Sequence, residues 1–120
     1  MKHNFRELNI WKEAVENAVY TYSICKDFPK EETFGLSSQM KRASVSVASN
    51  IAEGCGRGTD PQLIHFLDIS LGSACELETQ VLIAERLRYI DTVTYEKWVV
   101  QLNSMQRKIR GFREKISNKT

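Results

Sequence analysis

Five polar residues in the second quarter of the chain recur at helical spacing and could share one chemically active face. Steps of 3, 4, 4 and 3 residues separate Gln39, Arg42, Ser46, Asn50 and Glu53. Amide, hydroxyl and both signs of charge on one helix face are suited to mutual hydrogen bonding. Two interpretations remain open. The stripe is either an ordinary solvated face or a partly buried polar network, inside the fold or between subunits.

The sequence lacks the spacing of a known metal site. Carboxylate-bridged di-iron sites in helix bundles need Glu-x-x-His on two helices. The residue three positions before His65 is Gln62, and His3 lies near the terminus. We therefore predict neither a metal nor a cofactor.

Nucleophilic catalysis has little support in the sequence. Of three cysteines, Cys25 and Cys75 fall at small helical positions, while Cys55 lies in a glycine-rich run and is the only plausible reactive thiol. Neither Cys25 nor Cys75 has an evident histidine partner. Because the cysteines are odd in number and far apart, two or three of them are predicted to pack as reduced, small apolar groups. The glycine run follows a predicted helix and lacks the Gly-Lys-Ser/Thr ending of a phosphate loop, which favours a tight turn with positive φ. No catalytic residue is predicted.

Basic residues concentrate at the C-terminal end. Six of them lie between Arg107 and Lys119, against the single acid Glu114, although the net charge of the whole chain is only +2. Such a run is either solubilising charge that complements a helix dipole or a surface that neutralises phosphates of RNA or DNA.

Helices must position all of these residues. The patterns predict four helices. The first spans about residues 8–27, and the second begins with Ser37 as cap and ends at the glycine run that starts at Gly54. The third spans about residues 61–89 with Asp60 as cap, and the fourth spans about residues 95–116. Their apolar stripes are Leu8, Trp11, Val15, Ala18, Tyr22 and Cys25 in the first helix; Met40, Ala43, Val47 and Ile51 in the second; Leu63, Leu67, Ala74, Leu77, Val81, Ala84 and Leu87 in the third; and Tyr95, Trp98, Leu102, Met105, Ile109, Phe112 and Ile116 in the fourth. The fold class is therefore all-α: one domain, residues 1–120, built as an antiparallel up-and-down four-helix bundle, with both tryptophans buried.

The composition is that of an ordinary globular protein, with 42% hydrophobic and 27% charged residues. No stretch approaches the roughly 18 uncharged apolar residues of a membrane span, and the N-terminal residues do not form the apolar core of a signal peptide. We expect a cytoplasmic protein with no membrane partner.

The third helix has more apolar and small surface than one bundle needs. Ser70, Gly72, Ser73, Ala74 and Cys75 cluster in its middle. Glycine in mid-helix costs about 1 kcal/mol relative to alanine, and close helix–helix contact is the usual compensation. The pattern predicts self-association.

Eight segments of the chain, taken in order, carry a resemblance to a known protein family. They are residues 8–14 (LNIWKEA), 28–32 (FPKEE), 34–36 (FGL), 39–43 (QMKRA), 46–54 (SVASNIAEG), 57–58 (RG), 66–67 (FL) and 72–79 (GSACELET). In this order the chain resembles the four-helix-bundle proteins encoded within intervening sequences of bacterial 23S rRNA genes.

The resemblance implies a homopentamer with no established enzymatic activity. It also implies a likeness to the accessory protein of diversity-generating retroelements, a basic pentameric barrel that binds nucleic acid and a reverse transcriptase. With Glu76 and Glu78 of the third helix, the polar stripe forms a structural polar motif.

Two functions follow as hypotheses. The first is electrostatic binding of RNA or DNA by the oligomer, through Lys41, Arg42, Arg57, Arg107, Lys108, Arg110 and Arg113. The alternative is a scaffold that presents its helices to a protein partner such as a polymerase.

Overall fold

Four α-helices account for most of the chain. The computed structural model describes residues 3–119. Its helices are α1 (Asn9–Cys25), α2 (Leu36–Gly56), α3 (Asp60–Arg86) and α4 (Thr92–Asn118), with 3-10 turns at Phe5–Glu7 and Lys30–Glu32. No strand occurs among residues 3–119, so the predicted fold class is confirmed.

Short connections make consecutive helices antiparallel. α1 packs on α2, α2 on α3 and α3 on α4, and α1 also contacts α4. Over the described part of the chain, the backbones of α2 and α4 are not neighbours, because these helices occupy opposite corners of the bundle. The bundle therefore has four sides, each formed by two neighbouring helices.

Two helix starts differ from those predicted. Ser37 does not cap α2, which begins at Leu36; the carboxylate of Glu32 accepts the Leu36 N–H at 3.0 Å instead. Asp60 does not cap α3 either, because Thr59 is the capping residue and Asp60 lies in the first turn. In both cases a neighbouring oxygen satisfies the free amide of the first turn. The predicted positive-φ turn after α2 is present at Gly58, with φ of 90°.

The core confirms the predicted faces of three helices. Met40, Val47 and Ile51 of α2 are fully buried, as are most of the residues predicted for α3 and α4. Leu87 is an exception at 50% exposure, because α3 has already ended at Arg86. Of the tryptophans, Trp98 is fully buried, whereas Trp11 packs against the Phe5 ring and stays partly exposed.

The predicted face of α1 is only partly correct. Cys25 is buried, and Leu8, Trp11 and Val15 pack half-buried against the core, but Tyr22 is 45% exposed. The buried residues of α1 are Ile10, Ala14, Thr21 and Cys25. Thr21 can enter the core because its hydroxyl donates to the Asn17 carbonyl at 2.8 Å, which removes the cost of burying it. As a result, the middle of the predicted stripe turns outward beside α2.

Helix length and composition also bear on membrane insertion. Among the described residues, no helix combines the length and the apolar character needed to span a bilayer.

Candidate nucleic-acid interface

Part of the polar stripe on α2 forms a seam with α3. The hydroxyls of Ser46 and Ser73 lie 2.8 Å apart, and Asn50 Nδ2 donates to the carbonyl and the hydroxyl of Ser46 at 2.8 and 2.9 Å. Deeper in the same contact, the Ser70 hydroxyl donates to the Val47 carbonyl at 2.8 Å. These bonds fix the height of α2 relative to α3.

The rest of the stripe is exposed to solvent. Gln39, Arg42 and Glu53 are all exposed. Gln39, Arg42 and Glu76 line an open groove of about 470 Å³ above the serine pair. Each of the two open interpretations therefore describes one half of the stripe.

Glu76 and Glu78 lie on different sides of α3. Glu76 is exposed beside α2, whereas Glu78 accepts a hydrogen bond from Gln106 Nε2 at 2.9 Å and so faces α4. The structure does not bring Glu78 to the polar stripe.

Three of the seven predicted phosphate-binding residues are engaged with the protein's own carboxylates. Arg57 bonds Glu53 at 2.9 Å within α2. The other two join helices. Lys108 Nζ lies 2.9 Å from a carboxylate oxygen of Glu13 on α1, and Arg113 is described next.

Arg113 ties α4 to α3. Its Nε and Nη2 donate to the two carboxylate oxygens of Asp68 at 2.6 and 3.2 Å. This hydrogen bonding and the negative charge of Asp68 raise the pKa of Arg113. The bidentate geometry orients the guanidinium toward its own subunit, so Arg113 is a poor candidate for phosphate contact.

Four predicted residues remain available. Lys41 Nζ lies 5.1 Å from the centre of the Tyr22 ring, and Arg42 is exposed next to it on α2. Arg107 and Arg110 are exposed on α4, and within residues 3–119 no carboxylate is within ion-pair distance of either. Because α2 and α4 are at opposite corners, these two pairs of cations do not form one patch on the bundle.

The prediction that Cys55 is the reactive thiol is wrong. Cys55 is buried, as is Cys25, and burial raises the pKa of both thiols. Helix α2 continues to Gly56, which places Cys55 one turn beyond Ile51 on the core face; that four-residue step was the missed signal. Cys75 is the exposed cysteine.

Metal-ligating side chains are dispersed. Across the described range, no three His, Cys, Asp or Glu residues come together in a way that could hold a metal ion.

Comparisons with known proteins agree with this fold. The profile of the family described as 23S rRNA-intervening sequence protein matches residues 6–111. A crystal structure of a protein of unknown function, from the S23 ribosomal protein family of Bacteroides thetaiotaomicron VPI-5482, superposes with a TM-score of 0.80. The two chains are 23% identical, and the alignment covers 87% of this chain and 97% of the other. No protein of curated function matches in sequence.

Proposed function

This chain belongs to the family of 23S rRNA-intervening sequence proteins, and we propose that it is a non-enzymatic homo-oligomer that binds RNA or DNA electrostatically. The observation that carries the proposal is the pair of exposed guanidinium groups, Arg107 and Arg110, on the outer side of α4. One helical turn separates them, and neither is within ion-pair distance of a carboxylate in the described part of the chain.

Oligomerisation gives such a small patch its effect. One subunit has a net charge of +2 and offers few phosphate contacts. Repeating the α4 patch around a ring multiplies the contacts available to a single polyanion, and each contact releases condensed counterions. The pentameric state is part of the proposal and comes from the resemblance. Sequence preference should be weak, because phosphate contacts position a nucleic acid without reading its bases.

The test is a binding titration with structured RNA at about 50 and about 200 mM salt, because affinity that depends on phosphate contacts falls steeply between these two concentrations. We expect affinity to fall steeply with salt. Reversing both charges, Arg107→Glu with Arg110→Glu, should remove most of the binding. The matched control is Lys26→Glu with Lys30→Glu, which makes the same charge change on exposed residues at the opposite end of the bundle.

The outcomes separate the parts of the proposal. Equal loss in both double variants would mean that net charge, not the α4 patch, governs binding. An intact oligomer that binds neither RNA nor DNA at the lower salt concentration would refute the nucleic-acid function.

A protein scaffold is the second candidate function. Phe34, in the connection between α1 and α2, is 96% exposed, and Val93 and Val100 on α4 are 58% and 67% exposed. Val93 and Val100 are two turns apart on one face of α4, and a contiguous exposed apolar patch, more than an isolated side chain, is typical of sites that bind other proteins. Where a reverse transcriptase gene lies beside this one, its product is the partner to test, with Phe34→Ser as the variant expected to lose binding.

A further inference from the structure

The oligomer proposed above requires an interface, and its geometry can be derived from one subunit. We infer that the apolar groove between α1 and α2 of one subunit receives the outer face of α3 of the next subunit. This inference rests on the proposed oligomer and names the two surfaces that form it.

The groove is the receiving surface. Residues of α1 and α2 enclose about 370 Å³ of open space with an almost wholly apolar lining. Val19, Tyr22 and Val45 in this lining are 62%, 45% and 42% exposed. In an isolated subunit this surface would face water, at a cost of roughly 25 cal/mol for each Å² of apolar area.

The outer face of α3 is the inserting surface. Ile69 and Ile83 are 39% and 44% exposed. Between them, a Cβ added to Gly72 would meet no atom within 4 Å. Packing within the subunit therefore does not explain a mid-helix glycine that costs about 1 kcal/mol. Gly111 is equally open, but charged residues surround it on α4. Because the apolar side chains of Ile69 and Ile83 flank Gly72, a neighbouring helix that approaches closely at this point would explain this glycine.

The two surfaces lie at the same height on the bundle. The Ser46–Ser73 contact at 2.8 Å shows that residues 45–49 of α2 are level with residues 70–73 of α3. Rotation about an axis parallel to the bundle preserves height, so Val45 of one subunit would be level with Gly72 of the next. The α1/α2 groove and the exposed edge of α3 beside α2 are on neighbouring sides of the bundle. In a head-to-tail contact between such surfaces, each subunit is rotated relative to the one before it, so that a series of subunits can close into a ring.

Charge is complementary at the next turn. Because α2 and α3 are antiparallel, Lys41, four residues before Val45, is level with Glu76, four residues after Gly72. Lys41 lies at the groove over Tyr22, and Glu76 is exposed on α3. Among residues 3–119 neither forms an ion pair within the subunit, although Arg42 and Glu76 line the same α2/α3 groove. We expect a Lys41–Glu76 pair across the interface, which withdraws Lys41 from the nucleic-acid surface.

The first test compares two valines of similar exposure. Val19→Glu places a charge in the groove, and Val100→Glu places the same charge on the outer side of α4, where exposure is 67% rather than 62%. Light scattering at micromolar concentration, with circular dichroism as the check on folding, should give a monomer for Val19→Glu and an unchanged oligomer for Val100→Glu. Gly72→Gln, which has open space in the single subunit, should dissociate the oligomer as well, and it serves if Val19→Glu fails to fold.

The second test reverses the proposed charge pair. Lys41→Glu and Glu76→Lys should each raise the subunit dissociation constant about fivefold, the upper end of the range for solvent-exposed charge pairs, and the double variant should restore it. The control is Glu96→Lys, an exposed acid on α4.

Failure of this inference is distinguishable from failure of the proposed oligomer. An oligomer that persists in folded Val19→Glu and Gly72→Gln overturns the interface and leaves the oligomer standing. A double charge variant that is no tighter than either single variant overturns the alignment of Lys41 with Glu76. A wild-type protein that is monomeric at every micromolar concentration refutes the oligomer and the interface together.

Discussion

Replacing Gly54 by alanine should destabilise the bundle, whereas the same change at Gly111 should stabilise it. Both glycines lie inside helices. A Cβ on Gly54 would come within 3.0 Å of Leu63 Cδ1 and of Phe66 Cβ, and within 3.3 Å of the Leu63 carbonyl oxygen. A Cβ on Gly111 would meet no atom within 4 Å.

The two effects can be compared in size. Alanine is favoured over glycine in a helix interior by about 0.5–1 kcal/mol, and at Gly111 this gain stands alone. At Gly54 it is opposed by overpacking, which costs about 1–3 kcal/mol in a well-packed core. Leu63 is only 3% exposed, and the carbonyl oxygen and Phe66 Cβ cannot move without the backbone of α3. The two variants should therefore differ in free energy of unfolding by about 1–3 kcal/mol.

Urea unfolding, followed by circular dichroism, measures this difference. All three proteins must be compared at one protein concentration, because association of the proposed oligomer would also contribute to stability. If Gly54→Ala is as stable as Gly111→Ala, then α3 does not approach α2 as closely as described. The packing of the helix pair would then need another explanation.

Two further predictions concern ionisable groups. The pKa of Glu32 is lowered because its carboxylate accepts the Leu36 N–H at 3.0 Å and the Tyr89 hydroxyl at 2.8 Å. A carboxyl group whose pKa is lower in the folded state stabilises the protein above its unfolded pKa, and this stabilisation is lost as pH falls through the folded pKa. Glu32→Gln should therefore flatten the decrease in the free energy of unfolding below about pH 5. An unchanged slope in acid titrations of unfolding would contradict this role. A thiol reagent at about pH 8 should modify one cysteine quickly, because Cys25 and Cys55 are buried and have raised pKa values. Cys75→Ser should abolish this fast phase of the reaction. A fast phase that survives the substitution would show that a buried thiol is accessible.

Periodicity alone predicted the fold class and the core faces of α2, α3 and α4. In these helices a single apolar stripe dominates, so the face that packs inward is the one that the spacing shows. The helix starts were less predictable. Several oxygen-bearing residues precede α2 and α3, and which of them reaches the free amides depends on the path of the connecting backbone. Glu32 reaches Leu36 from a 3-10 turn, an element that the sequence pattern did not predict.

The predicted nucleic-acid residues show a different limit. Sequence reveals charge along one helix, but the partner that neutralises it comes from another part of the fold. Lys108 meets Glu13 across 95 positions, and Arg113 meets Asp68 across 45. Two of the four α4 residues predicted to contact phosphate, Lys108 and Arg113, were therefore assigned without knowledge of these carboxylates.

The error in α1 and the prediction of self-association have one physical origin. α1 carries two usable faces, and the burial of Thr21 is compensated because its hydroxyl donates to the backbone carbonyl of Asn17 at 2.8 Å. The side-chain oxygen of Asn17 separately accepts a hydrogen bond from Trp98 Nε1 at 2.9 Å, which joins this face of α1 to α4. This arrangement rotates Val19 and Tyr22 outward, where they form the groove with α2. In the interface inferred above, the surplus apolar surface that the sequence indicated on α3 would find its complement on α1, a helix whose outward face could be identified only once its contact with α4 was known.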